Sequence, residues 1–174
     1  FTAEETKLKV GKISHAADPD AAKAAAAGKA VAKTLDFIKP DTVINLAVFR
    51  NIEACEEDID SAFAVNSHAV RNLAQMCDQA QIRLVHFSTD YVFGGDQVTP
   101  YREYSPLDPR NVYGVSKASG EYFIRQICRD HLIIRTSGVF GTKGTNFVET
   151  MLRLGGTKGH VSVVTDQVLS PTST

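Results

Sequence analysis

Three short, largely apolar runs alternate with helical patterns, and that alternation constrains the fold more than any other feature. The runs are Thr42-Val-Ile-Asn-Leu46, Ile82 to Phe87 and His131-Leu-Ile-Ile-Arg135. Between the first two, residues 59–79 place Phe63, Val70, Leu73, Ala74 and Cys77 along one helical stripe. Between the second and third, Asn111 is suited to cap a helix reaching about Arg129, with Tyr113, Lys117, Gly120, Ile124 and Ile127 near one side. Ahead of the first run lies an alanine-rich helical stretch from Ala21 to Ile38, with Asp18-Pro19 as its start. A helix near Asn146 to Leu154 and a strand near Val161 to Val164 follow the third. Strands separated by helices pair in parallel through right-handed crossovers. Nearly continuous apolar strands imply a sheet covered on both faces. The expectation is an α/β, doubly wound parallel sheet.

Composition narrows the function classes. A chain of 174 residues suits one domain with a proper core, and its formal net charge of -1 gives no electrostatic case for nucleic acid. No apolar run approaches membrane-spanning length, and Phe1-Thr-Ala-Glu-Glu-Thr-Lys7 does not read as a signal peptide. Cys55, Cys77 and Cys128 are odd in number and isolated, so they read as reduced thiols of a cytoplasmic protein. The five histidines show no paired spacing, which argues against a metal site.

Chemistry concentrates in two segments. Tyr113 and Lys117 stand four residues apart, on one face of a helix. An ammonium beside a phenol favours the phenolate, and such a phenol can exchange protons near neutral pH. Ser88-Thr89 ends an apolar strand, so Thr89 falls at the carboxyl edge of the sheet, where ligands bind in open α/β folds. The connection from Ser88 to Asn111 is long, and Gly94-Gly95, Pro100, Pro106 and Pro109 keep it from being helical. Loops of that length commonly serve a site, so it is expected to be a substrate-side loop. A hydroxyl, a phenol and an ammonium at one sheet edge suit oxidation or reduction of a sugar-like carbonyl.

Six segments occur in order: Ser88-Thr-Asp-Tyr-Val-Phe93, Pro100-Tyr-Arg-Glu103, Asn111-Val-Tyr-Gly-Val-Ser-Lys117, Arg135-Thr-Ser137, Asn146-Phe-Val-Glu-Thr-Met151 and Asp166-Gln-Val-Leu-Ser-Pro-Thr172. Together they resemble the dTDP-4-dehydrorhamnose reductase family, within the extended short-chain dehydrogenase/reductase superfamily, over roughly Pro40 to Thr172. The resemblance implies a Rossmann-like domain that uses NADPH or NADH to reduce the 4-keto group of a dTDP-linked deoxysugar. It makes Tyr113 the acid that protonates the carbonyl oxygen. Lys117 would hold the nicotinamide ribose and lower the Tyr113 pKa, and Thr89 would align the substrate oxygen. Ser88, Asp90 and Tyr91 would line the adjoining pocket. The segment Asn45-Leu-Ala-Val-Phe49 would pass under the cofactor, which Leu46, Ala47, Phe49, Asn66, Ser88, Tyr113 and Lys117 would bind, with Asn66 near the active site, and Gly138 would face the substrate. Phe93 and Ser116 read as structural, while Gly114 and Gly120 suggest close approach of backbone or cofactor.

The sequence also departs from that family. No strand and Gly-rich phosphate turn precede Pro40, since Gly11 and Gly28 are isolated. Gly138-Val-Phe-Gly-Thr-Lys-Gly144 has the GxxGxxG spacing, but its place in the aligned order belongs to the substrate side. Gly138 stands where many members carry tryptophan, His15 where many carry an acid and Arg50 where a small hydroxyl residue is frequent. The chain therefore reads as one incomplete Rossmann-like domain over 1–174, with the substrate-binding region beginning after about 138. Open sheet edges make homo-oligomerisation an expectation. Two alternatives stand beside the reductase: a non-catalytic binding or regulatory descendant, and a sugar-nucleotide epimerase or dehydratase. Tyr91, where a dehydratase would want an acid, counts against the last.

Overall fold

The computed structural model describes residues 21–142 and 146–174. The Asp18-Pro19 helix start, Gly11, His15, the first seven residues and Gly144 lie outside the described residues. Helix α1 (Ala21–Ile38) leads into β1 (Thr42–Asn45), then α2 (Ile52–Glu57) and α3 (Ile59–Phe63). A π-helical turn, Ala64–His68, joins α3 to α4 (Ala69–Gln79). Strand β2 (Arg83–Thr89) runs into a 3-10 turn at Asp90–Val92, and α5 (Val112–Ile127) leads to β3 (His131–Thr136). A small second sheet pairs β4 (Val139–Phe140) with β5 (Thr172–Ser173), around α6 (Phe147–Lys158).

The main sheet has the order β1-β2-β3, all parallel, as the alternation implies. Register places Val43, Leu84 and His131 side by side, then Asn45, His86 and Ile133. That face meets the helices. Val70, Ala74 and Cys77 of α4 close on Leu84, Ile124 and Cys128 to form the core, with Leu35, Val43 and Ile133 packed against it. Burial of Val70, Ile82, Leu84 and Ile124, at about 1.5–3 kcal/mol each, dominates the cohesion of this layer.

The opposite face differs from expectation. Among the described residues, the helices α1, α4 and α5 gather on one face, whereas Ile44 and Leu132 on the other are 49% and 51% exposed. Sequential strand order explains this, because successive crossovers of one hand fall on one side of a sheet. The strand expected near Val161 to Val164 does not form. Those residues have no regular structure and Val163 and Val164 stay exposed, because a β-branched run without a neighbour has nothing to pair with. Helix α5 ends at Ile127, two residues earlier than expected.

Two glycines set how closely the layers approach. A Cβ on Gly120 would stand 2.3 Å from the Asn66 carbonyl oxygen, and one on Gly114 would stand 2.2 Å from the Tyr91 carbonyl oxygen. Both therefore admit backbone rather than cofactor. No helix among the described residues is long and apolar enough to cross a membrane. The three cysteines are free and buried. Gly120→Ala is expected to lower stability by about 1–3 kcal/mol through overpacking, read as a lower denaturation midpoint with an unchanged slope.

Candidate active site

The site grows from the carboxyl ends of β1 and β2 and from the first turn of α5. Asn111 starts that helix, its side chain accepting from the Gly114 N–H at 2.7 Å. The first two turns then carry Tyr113 and Lys117 toward the ends of the strands. Tyr113 is half-buried and meets the Tyr91 ring edge-on at 5.8 Å. Thr89 is buried at the end of β2, where its hydroxyl donates to Asp90 at 3.1 Å and accepts from the Tyr91 N–H at 3.2 Å. Asp90 also accepts from the Ser137 hydroxyl at 2.5 Å. Its carboxylate thus ties β2 to the segment after β3, more than a simple turn cap would.

Burial pushes the Tyr113 phenol above its ordinary value, the adjacent Thr89 hydroxyl acts against that rise, and Asp90, Cys55 and Tyr91 add to it. The expectation that Lys117 lowers the phenol is not met, because its Nζ turns toward Phe87 and His86. Lys117 is 2% exposed; its Nζ donates to the Phe87 carbonyl at 2.6 Å and lies 3.1 Å from His86 Nε2. Burial lowers Lys117 to about 8, with Glu121 acting the other way. His86 is fully buried, and burial followed by the Lys117 charge lowers it to about 3. Its other nitrogen, Nδ1, meets Asn45 Nδ2 at 3.0 Å.

Asn66 answers a different need from the one expected. It is fully buried in the π-helical turn, and its carboxamide is wholly engaged by protein. Oδ1 accepts from the Phe49 N–H at 2.9 Å, while Nδ2 donates to the Phe49 carbonyl at 2.9 Å and to Ser116 Oγ at 3.0 Å. Asn66 therefore positions the stretch after β1 and leaves no group for a cofactor. Ser116 passes the connection on, donating to the Tyr113 carbonyl at 2.8 Å. Within that stretch Leu46 is 66% exposed and Val48 is 38% exposed, while the Phe49 backbone is held.

Beneath the site, the fully buried Glu121 binds Arg135 at 2.6 Å and Arg125 at 3.1 Å. Burial alone would raise this carboxyl, but Arg135 and the other donors outweigh it and hold it below the ordinary range. Ser88 Oγ, near this carboxylate, is buried without completing a hydrogen bond. Gly138 takes a positive φ of 50° in the turn between β3 and β4, close to Leu169 and Pro171. The following helix is capped by Asn146, so the GxxGxxG spacing does not open a helix as a phosphate turn would. Phe93 packs, stacking on Tyr101 at 4.3 Å under the Arg135 guanidinium. His86 went unnoticed as a site residue, and its signal was a polar residue at an inward position of β2.

A parallel α/β sheet with a hydroxyl, a phenol and a lysine at its carboxyl edge places this chain among Rossmann-like proteins. The family model for the RmlD substrate binding domain matches residues 6–174, and the chain belongs to that family. It is 44% identical over 146 residues to the spore coat polysaccharide biosynthesis protein SpsK of Bacillus subtilis, covering 84% of this chain and 52% of the relative. It is 38% identical over 142 residues to dTDP-4-dehydrorhamnose reductase of Shigella flexneri, covering 82% and 48%. Among solved structures, a dTDP-4-dehydrorhamnose reductase from Clostridium acetobutylicum superposes with a TM-score of 0.78 at 39% identity, over 83% of this chain and 51% of that one. The Bacillus anthracis reductase, solved in complex with NADP, gives 0.71 at 36% identity, over 74% and 46%. The chain thus spans about half the length of the curated relatives it matches.

Two outcomes follow from this geometry. Asn66→Ala is expected to cost about 1–3 kcal/mol, because it orphans the Phe49 N–H in a buried setting; chemical denaturation reads the loss. The lowered His86 means that the unfolded chain binds more protons than the folded one between about pH 6.5 and 3, so stability falls as pH falls through that window. Glu121, also lowered, loses its contribution in the same direction. Denaturation of His86→Gln across that pH range is expected to show a shallower decline than the parent.

Proposed function

We propose that this chain carries the catalytic edge of an NAD(P)H-dependent reductase acting on the 4-keto group of a dTDP-linked deoxysugar. The observation that carries the reading is the meeting of Thr89, Tyr113 and Lys117 where β2 and α5 converge, in a chain of the family just described. Tyr113 keeps its proton through neutral pH, as its raised phenol requires, and is suited to deliver it to a carbonyl oxygen. Thr89 holds the substrate oxygen near that phenol, with Asp90, Tyr91 and Gly138 on the substrate side. The small sheet of β4 and β5 begins the substrate-binding region, and the 88–111 connection forms its wall.

The described residues suit the nicotinamide end of such a cofactor. Leu46 and Val48 offer exposed apolar surface at the end of β1, and Ala47 lies between them. Lys117 supplies a donor at this edge, and the Ser88 hydroxyl lies buried beneath it, near the Glu121 carboxylate. When bound, the cofactor supplies the hydride; the chain supplies orientation and the proton.

The test is reduction of a dTDP-4-keto-6-deoxysugar, followed by loss of NADPH or NADH absorbance. Tyr113→Phe is expected to lower turnover by roughly 10²–10⁴-fold while cofactor affinity, read by calorimetry, stays within about threefold. Turnover that survives the substitution removes the phenol from the proton-donor role. Absence of any cofactor binding removes the reductase reading itself.

A further inference from the structure

The polar chain behind the site has a feature the reductase reading does not use. Asn45 Oδ1 accepts from the Ala47 N–H at 3.1 Å, which fixes which end of the carboxamide faces His86. The end facing His86 is Nδ2, a donor, at 3.0 Å from Nδ1. On the other side of the ring, Lys117 Nζ lies 3.1 Å from Nε2. A neutral imidazole has one accepting nitrogen and one donating nitrogen. With Nδ1 accepting from Asn45, the ring proton must sit on Nε2 and point at Lys117. An ammonium has no lone pair to receive it. A neutral amine does, and it keeps two N–H groups, one of which serves the Phe87 carbonyl at 2.6 Å.

We propose that Lys117 and His86 form a single charge-and-tautomer switch set by Asn45: Lys117 is a neutral amine when His86 carries its proton on Nε2, and an ammonium only when that proton moves to Nδ1. The proton count closes. His86 holds one proton in both states, and the pair as a whole loses one when Lys117 becomes neutral. In the charged state, Nδ1–H would point at Asn45 Nδ2, so the carboxamide must turn over to present Oδ1. That turn gives up the bond from the Ala47 N–H. The charge on Lys117 is thereby tied to the backbone just after β1. Burial of both partners makes the coupling strong, since a donor facing a donor in a dry site is costly.

The surroundings do not supply a competing switch. On α5, Glu121 is the charged group acting on Lys117, and its carboxylate is held by Arg135 from β3 and Arg125. The buried residues of the π-helical turn, Asn66 and Ser67, are neutral, Ser67 bonds Ser119 at 2.7 Å, and His68 is exposed. Asp90, in the 3-10 turn, is engaged by Thr89 and Ser137. Glu56 of α2 accepts from the Val112 N–H at 2.8 Å, at the N-terminal end of α5. The consequence for catalysis rests on the reductase reading: a cofactor seated against Leu46 and Ala47 would bias the charge of the lysine that serves it.

The switch is tested on the whole chain by nitrogen-15 NMR, from about pH 6 to 10, reading the two His86 ring nitrogens and the Lys117 Nζ together. His86→Gln assigns the ring signals. The expected result is that Nε2–H accompanies neutral Lys117 and Nδ1–H accompanies charged Lys117 at every pH, with one shared midpoint below that of an ordinary lysine. Nε2–H beside a charged Lys117, Nδ1–H beside a neutral one, or an imidazolium above about pH 6 overturns the proposal. Asn45→Asp gives a second arm, because a carboxylate accepts from both the Ala47 N–H and Nδ1–H. It is expected to move the shared midpoint up by about one unit or more, and an unmoved midpoint also overturns the proposal. Neither cofactor nor substrate is used, so failure of the switch and failure of the reductase reading are separate results.

Discussion

Asn66 holds both backbone groups of Phe49 and the Ser116 hydroxyl with one carboxamide, and the layout of the site follows from that grip. The stretch after β1 has no strand partner at Phe49, whose N–H would otherwise lack a protein acceptor. With Asn66 in place, that stretch is docked on the helical layer, and Ser116 joins the dock to the Tyr113 carbonyl. The π-helical turn at Ala64–His68 and the bare Cα of Gly120 are both needed for it. The first widens the helix where Asn66 sits; the second lets α5 come within contact of the Asn66 carbonyl. Phenol, lysine and strand end are thus spaced by backbone hydrogen bonds rather than by side-chain packing alone.

Behind this scaffold runs a line of buried polar groups through Asn45, His86 and Lys117, with Glu121 one turn further along α5. It departs from the usual rule that cores are apolar, and each member is paired or opposed by another. Such a line is rigid because any change at one end must be answered at the next. The Glu121 carboxylate, gripped by two arginines, anchors it from below.

Much of the fold was legible in the chain because the strands and the long helices carry unambiguous periodicity. Asn111 announced the start of α5, and the Phe63 to Cys77 stripe announced α4 with its core partners. Thr89, Tyr113 and Lys117 stood out in the sequence because a strand-end hydroxyl and a Tyr/Lys pair at helical spacing suit carbonyl chemistry, and β2 and α5 bring them to one edge of the sheet. What escaped reading depended on contacts distant in sequence. The Val161 to Val164 run has strand composition, yet the small sheet formed instead from Val139–Phe140 and Thr172–Ser173, 33 residues apart by position 139 against 172. Helix α2 is short and polar, capped by Asn51, with no apolar stripe to announce it. His86 looked like one polar residue in a strand, and only the register beside Asn45 and above Lys117 gives it a role. The direction of the Tyr113 shift was misread for the same reason, since spacing on a helix says where a lysine starts and not where its nitrogen ends.

The connection between β2 and α5 is long, but it is held at many points. Tyr101 stacks on Phe93 and its hydroxyl accepts from the Gly95 N–H at 2.8 Å. The Asp108 N–H returns to the Val92 carbonyl at 3.1 Å, and Arg110 bridges Asp96 and Asp108. A loop arranged in this way has already lost its conformational freedom when the chain folds. A molecule that binds against it meets a preformed wall, so the entropy of ordering the loop is charged to folding and not to affinity.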